Sequence, residues 1–206
     1  MRIKRICKLA GLGALAMTAY LTGCATPPPT NVANACSIFD ENRSWYHQMK
    51  RAERRWGMPV HIQLAIMRQE SAFVHDAKPA RKKILWVLPG PRPSSSYGYS
   101  QAQDATWDWY KKESGRRGAD RNDFKDAADF IAWYGTKSRK LSGISLWDPY
   151  NQYLAYHEGH GGFNRKSYNK KKWLISVARK VERNARSYGG QLAQCEDRLY
   201  RRFSFF

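Results

Sequence analysis

Strand signals are nearly absent from this chain of 206 residues. Periodic segments broken by glycine, proline and capping residues dominate instead, which excludes a sheet-based domain and predicts an all-α one. Cysteine is scarce. The four present (Cys7, Cys24, Cys36, Cys195) include no C-x-x-C pair, so a zinc-ribbon type of site is excluded. No H-E-x-x-H segment places two histidines on one helical face, which removes the commonest helical zinc site. Acidic residues are few, 17 against 36 basic, for a net charge of +19. Such a surface favours a polyanion or an anionic membrane, or simply serves as a solvated basic face.

No apolar run is long enough to span a membrane. The longest, Leu9–Leu21, follows Arg2, Lys4, Arg5 and Lys8 and is rich in small residues. Basic start and short apolar core together read as a secretion signal over residues 1–23, to be left out of fold reasoning. It ends in Leu21-Thr22-Gly23-Cys24, which resembles the bacterial lipobox, in which the cysteine is lipidated and begins the mature chain. The alternative is plain secretion with a chance cysteine. Lipidation at Cys24 would anchor the protein to a membrane without spanning it. Ala25 stands where an aspartate would signal inner-membrane retention, so the expected place is the periplasmic face of the outer membrane. Residues 24–35, with Pro27-Pro28-Pro29, then read as an extended tether, and 36–206 as one domain. Removing the signal still leaves a net charge of about +15. Export argues against nucleic acid as a partner, and no cofactor is expected. It also favours a disulfide between Cys36 and Cys195, the alternative being two unpaired thiols.

About six helices are expected. Ser37 to Trp56 ends at Gly57, and Pro59 opens the next in its first turn, with Ile62, Ala65, Ile66 and Gln69 on one stripe. Asp104 caps a helix to about Ser114, and Asp123 another to about Leu141. Asp148-Pro149 opens a helix that fades at Gly159. Trp173 to Tyr188 is a long basic helix carrying Trp173, Ile175, Val177, Ala178 and Val181, followed by Gly189-Gly190. Lys78 to Ser96, with four prolines, is the exception: a long loop whose Ile84–Leu88 reads as a short strand or an inserting segment. It is either a substrate lid or membrane-touching loop, or a segment packed on the surface.

Glu70 ends the apolar helix. A carboxyl there is poorly solvated, and desolvation favours its neutral form, which suits an acid that protonates a departing glycosidic oxygen; the plain alternative is an ordinary helix-end charge. Two further segments lie downstream, Tyr97-Gly98-Tyr99-Ser100-Gln101 and Ala155-Tyr156-His157-Glu158-Gly159-His160. In order and spacing the three segments resemble the soluble lytic transglycosylase domain over about residues 45 to 190, and the resemblance implies a lysozyme-like fold. By it, Glu70 matches the catalytic acid and Ser71 the serine that lines the site. Gly98 and Gln101 match the turn glycine and the substrate-facing glutamine, and Tyr156 matches the tyrosine whose hydroxyl orients the carboxyl. Tyr99-Ser100 replace Leu-Met, His157 replaces Asn, and the gap before Gly98 is about ten residues longer than usual. Tyr99 and His157 are therefore expected in altered glycan subsites.

The implied reaction cleaves the β-1,4 bond between N-acetylmuramic acid and N-acetylglucosamine of peptidoglycan without water, leaving a 1,6-anhydro end. One carboxyl suffices as acid and then base, because an intramolecular hydroxyl needs no positioned water. Wall-peptide carboxylates and acidic lipid headgroups then become the expected polyanions. The rival readings are a hydrolytic muramidase with Glu158 or Asp104 placing a water, a wall-binding lipoprotein without turnover, and a membrane-active basic protein. Gln101 and Tyr156 have plainer readings as an early-helix polar residue and a core aromatic. Trp107, Trp109, Trp133 and Trp147 are candidate sugar platforms or core.

Overall fold

The computed structural model describes residues 26–81, 83–84 and 88–201, without the side chains of 83, 84 and 201. The signal segment, Cys24 and Ala25, and residues 85–87 of the expected inserting segment lie outside the described residues.

Seven α-helices and one two-stranded hairpin make up the described chain: α1 (Ala35–Glu41), α2 (Arg43–Trp56), α3 (Val60–Ser71), β1 (Lys83–Ile84), β2 (Leu88–Pro89), α4 (Asp104–Ser114), α5 (Phe124–Ser142), α6 (Pro149–Asn164) and α7 (Lys172–Arg201). A single 3-10 turn, Ser167–Lys170, precedes α7. The all-α, lysozyme-like class stands. β1 and β2 pair antiparallel inside the long proline-rich loop, Lys83 opposite Pro89. No helix among the described residues is long and apolar enough to cross a membrane.

The caps explain most boundaries. Gly57, Gly115 and Gly143 end α2, α4 and α5 in the left-handed conformation. Asp123 and Asp148 accept from Asp126 N and Asn151 N at the starts of α5 and α6. Asp104 is the first residue of α4 rather than its cap, and its carboxylate pairs with Arg121 at 2.8 Å.

Three expected boundaries are corrected. Ser37–Trp56 is two helices, broken at Asn42, whose non-helical backbone (φ −130°, ψ 69°) lets Phe39 and Tyr46 both bury, their rings 5.5 Å apart. α6 continues past Gly159, which kinks it (φ 72°, ψ 158°) without ending it. α7 runs through Gly189-Gly190 without a break; a Cβ on Gly189 would make only ordinary contact with the His61 ring, at 3.6 Å.

α3 is the central helix. It buries nearly all its faces instead of one stripe, including Ile62, Gln63, Leu64, Ala65, Ile66 and Met67. Gln63 is tolerated there because its amide donates to Met49 O (3.2 Å) and Met58 O (2.7 Å). α2 and α5 pack across it; a Cβ on Gly135 of α5 would lie 2.5 Å from Met58 Cε.

The N-terminal segment docks earlier than the expected boundary at residue 36. Pro29 is buried, and Thr30 donates to Glu41 from its backbone (2.9 Å) and hydroxyl (2.7 Å). Gln191 of α7 accepts from Ala35 N at 2.8 Å, and Cys36 and Cys195 form a disulfide that ties α1 to α7.

Candidate active site

Glu70 lies in the last turn of α3, and the backbone just beyond that helix is unusual. Ala72 (φ 49°) and Phe73 (φ 65°) are consecutive left-handed residues, neither of them glycine. Such conformations cost energy and persist only where surroundings enforce them. Here Phe73 is buried and stacks on Trp45, 5.8 Å between ring centres. Ser71 completes the turn: its hydroxyl donates to Met67 O (3.3 Å) and accepts from Phe73 N (3.2 Å). Ser71, expected to line the site, is thus buried and spends its hydroxyl on the helix end.

Glu70 keeps some solvent-exposed surface as a residue, but its carboxyl end is enclosed by protein. That burial pushes its pKa from the ordinary 4.5 up to about 7, opposed only by a hydrogen bond from Tyr153. No cation among the described residues offsets the burial. Tyr153 itself is raised by burial and by the facing Glu70 charge, so it remains a protonated donor.

The second segment is a tight turn across the site. Tyr97 N donates to Ala102 O at 3.3 Å, and Gly98 N to Ala77 O at 2.9 Å. Gly98 has φ 74°, and a Cβ there would lie 2.1 Å from the Arg121 carbonyl oxygen, so only glycine fits. Gln101 is also left-handed (φ 50°). Its amide nitrogen donates to Ala77 O (2.8 Å) and Gly98 O (2.9 Å), which uses both hydrogens and leaves its carbonyl oxygen over. Gln101 belongs to this turn, not to the helix after it. Tyr99, expected in a glycan subsite, is only 2 % exposed, packed against Trp45 and Phe124 in the core.

α6 supplies the third segment, and here the expected residue shifts by one turn. The hydroxyl that bonds Glu70 is that of Tyr153. Tyr156 stays close enough to feel the Glu70 charge, but its hydroxyl donates to Ser100 O at 2.7 Å, linking α6 to the 97–102 turn. Sequence reasoning missed Tyr153; its position three before Tyr156, on the same helical face, was the available signal. His157 is exposed, its Nδ1 3.3 Å from Glu158 and its ring edge on Trp173.

The side chain of Glu158 is buried against partners of its own. Burial pushes its carboxyl up, but Lys171 (2.6 Å), Ser167 and His157 outweigh that and hold it below its ordinary value. His160 points elsewhere, stacked on Tyr134 (4.5 Å) with Nε2 3.1 Å from Ser138 Oγ. Among the described residues no three His, Cys, Asp or Glu side chains converge as metal ligands. Trp107 and Trp133 are core. Trp109 is half-buried and bonds Glu113 (2.8 Å), and Trp147 is exposed beside His61 at the opposite end of α3 from Glu70. Trp173, at the start of α7, is 56 % exposed.

The site therefore combines one enclosed, readily protonated carboxyl, one tyrosine donor on it, and a glycine turn braced by a second tyrosine. A comparison with curated proteins finds no match. The family model described as Transglycosylase SLT domain matches residues 12–195, most of the chain. By this match and by its helical fold, the chain belongs to the transglycosylase SLT domain family.

Proposed function

We propose that this protein is a peptidoglycan lytic transglycosylase that cleaves the N-acetylmuramic acid–N-acetylglucosamine bond and leaves a 1,6-anhydro end. The observation that carries the reading is Glu70, an enclosed carboxyl at the end of α3 whose pKa burial raises to about 7, so that both its acid and its carboxylate forms are accessible near neutral pH. Protonated, it gives its proton to the bridging oxygen as the bond to the anomeric carbon breaks. As carboxylate it then takes the proton from the C6 hydroxyl of the same sugar while that oxygen bonds to the anomeric carbon. Tyr153 fixes the carboxyl's direction and stabilises its charged form between the two transfers. Tyr156 and Gly98 act indirectly, holding the 97–102 turn that carries Gln101.

A hydrolytic muramidase needs a second carboxylate to activate water, at a spacing set by stereochemistry. Both candidates are committed elsewhere, Glu158 to Lys171 and Asp104 to Arg121. The protein is proposed to work as a lipoprotein of the outer membrane, anchored through Cys24. Radiolabelled lipid incorporated by the wild type and lost in Cys24→Ala tests the anchor. Clearing of purified peptidoglycan tests the catalyst: Glu70→Gln abolishes it on this reading, and equal clearing by wild type and variant removes Glu70 from the mechanism.

A further inference from the structure

The strongest unassigned feature lies where the Glu70-facing side of α6 runs out to solvent. Tyr153 bonds Glu70, and His157 is one turn further along the same helix face, roughly 6 Å on. The His157 ring meets the Trp173 ring edge-on, 5.1 Å between centres. A tryptophan 56 % exposed at this point gives up much of the burial its ring could gain, and such rings are enriched where ligands bind.

The pair is held in place. Leu174, next to Trp173, is fully buried and fixes the start of α7. The largely buried Glu158 carboxylate grips Lys171 at 2.6 Å and accepts from the Ser167 hydroxyl, whose oxygen also lies 3.0 Å from Gly162 O. The 3-10 turn is thereby clamped to α6 beside the His157–Trp173 pair. Around it, Gly159–Val181 carries seven basic side chains and no acidic one. Lys171 is paired with Glu158, whereas Lys170 and Lys172, both exposed, have no ion pair among the described residues.

We propose that His157, Trp173, Lys170 and Lys172 form a subsite for peptide-substituted glycan, the indole receiving a sugar face and the two ammonium groups the stem-peptide carboxylates. This rests on the transglycosylase reading for the nature of the strand and on charge complementarity for its peptide. The consequence is selectivity: strands that carry peptides bind better than strands stripped of them.

Binding is measured with Glu70→Gln, so that no strand is cleaved, on sacculi with intact peptides and on the same sacculi after amidase treatment. Intact sacculi are expected to bind more tightly. Adding Lys170→Ala and Lys172→Ala lowers the intact-to-stripped affinity ratio about threefold or more, an effect that shrinks as salt rises. Adding Trp173→Ala weakens binding to both sacculi about tenfold, with the thermal midpoint checking that the variant is folded. Arg51→Ala with Arg54→Ala removes equal charge from the outer face of α2 and serves as the control. A parent ratio of one overturns the proposal, as does an equal fall in the control, which would mean a general basic field. Loss of binding to anionic phospholipid vesicles in the lysine variants, with the sacculus ratio unmoved, overturns it in favour of a membrane contact. Because the readout is binding, lack of anhydro product in the wild type would sink the transglycosylase reading and leave this result separate.

Discussion

Replacing Glu70 by Gln is expected to stabilise the protein, and only at the pH where the acid would ionise. In the unfolded chain Glu70 titrates near 4.5; in the fold it holds its proton to about 7. Below pH 4.5 the carboxyl is neutral in both states and costs nothing. Between 4.5 and 7 the unfolded chain releases the proton and the folded one keeps it, so unfolding is favoured as pH rises. Above 7 the penalty is complete. A shift of this size is worth about 3 kcal/mol at 1.36 kcal/mol per pH unit. Glutamine has nearly the same shape and cannot ionise, so Glu70→Gln escapes the penalty. The wild type and variant should therefore unfold alike at pH 4 and separate progressively to pH 8. For a domain of this size the final gap corresponds to roughly 6–12 °C in Tm. Urea or thermal unfolding at each pH gives the curve. A stability difference that stays flat from pH 4 to pH 8 refutes the enclosed-acid account, whatever the variant does to activity.

Other perturbations separate the roles of neighbouring residues. Tyr153→Phe removes the one hydrogen bond that lowers the Glu70 pKa, so the alkaline limb of the kcat/KM–pH profile moves upward. Tyr156→Phe, whose hydroxyl serves Ser100, lowers the rate and leaves that limb in place. Gly98→Ala forces a Cβ against the Arg121 carbonyl at positive φ and costs roughly 2–4 kcal/mol, read as a lowered urea midpoint together with lost activity. Paired Cys36→Ala and Cys195→Ala opens a loop of 159 residues and costs up to about 5 kcal/mol in the chain-entropy model. An unchanged urea midpoint in the presence and absence of reductant would refute that contribution.

The sequence was most legible where one residue type has one physical job. Asp123 and Gly143 bracket α5 because a capping carboxylate and a left-handed glycine each act locally. Glu70 was legible less directly: an acid at the end of an apolar helix can be an ordinary exposed charge, and it was the two downstream segments that singled it out. Gly98 was marked by its segment, and the structure adds the Arg121 carbonyl that makes it obligatory. Legibility failed where tertiary approach decides. Tyr153 and Tyr156 share a helix face, and only the packing of α6 on α3 and on the 97–102 turn determines which hydroxyl reaches Glu70. Gly189-Gly190 looks like a stop, yet α7 passes through, its flanking Tyr188 and Leu192 buried in the core. Tyr99, expected at a glycan subsite, packs in the core, since an aromatic residue by itself does not declare which side it will face.

The chemistry proposed for Glu70 is tested most directly by the ends it leaves. Peptidoglycan digested by the purified wild type in ¹⁸O-labelled water, then analysed by mass spectrometry, should yield 1,6-anhydro-N-acetylmuramic acid ends that carry no solvent oxygen, and Glu70→Gln should yield none. Reducing ends carrying the ¹⁸O label would contradict the account, because a water would then have done what the substrate's own hydroxyl is proposed to do.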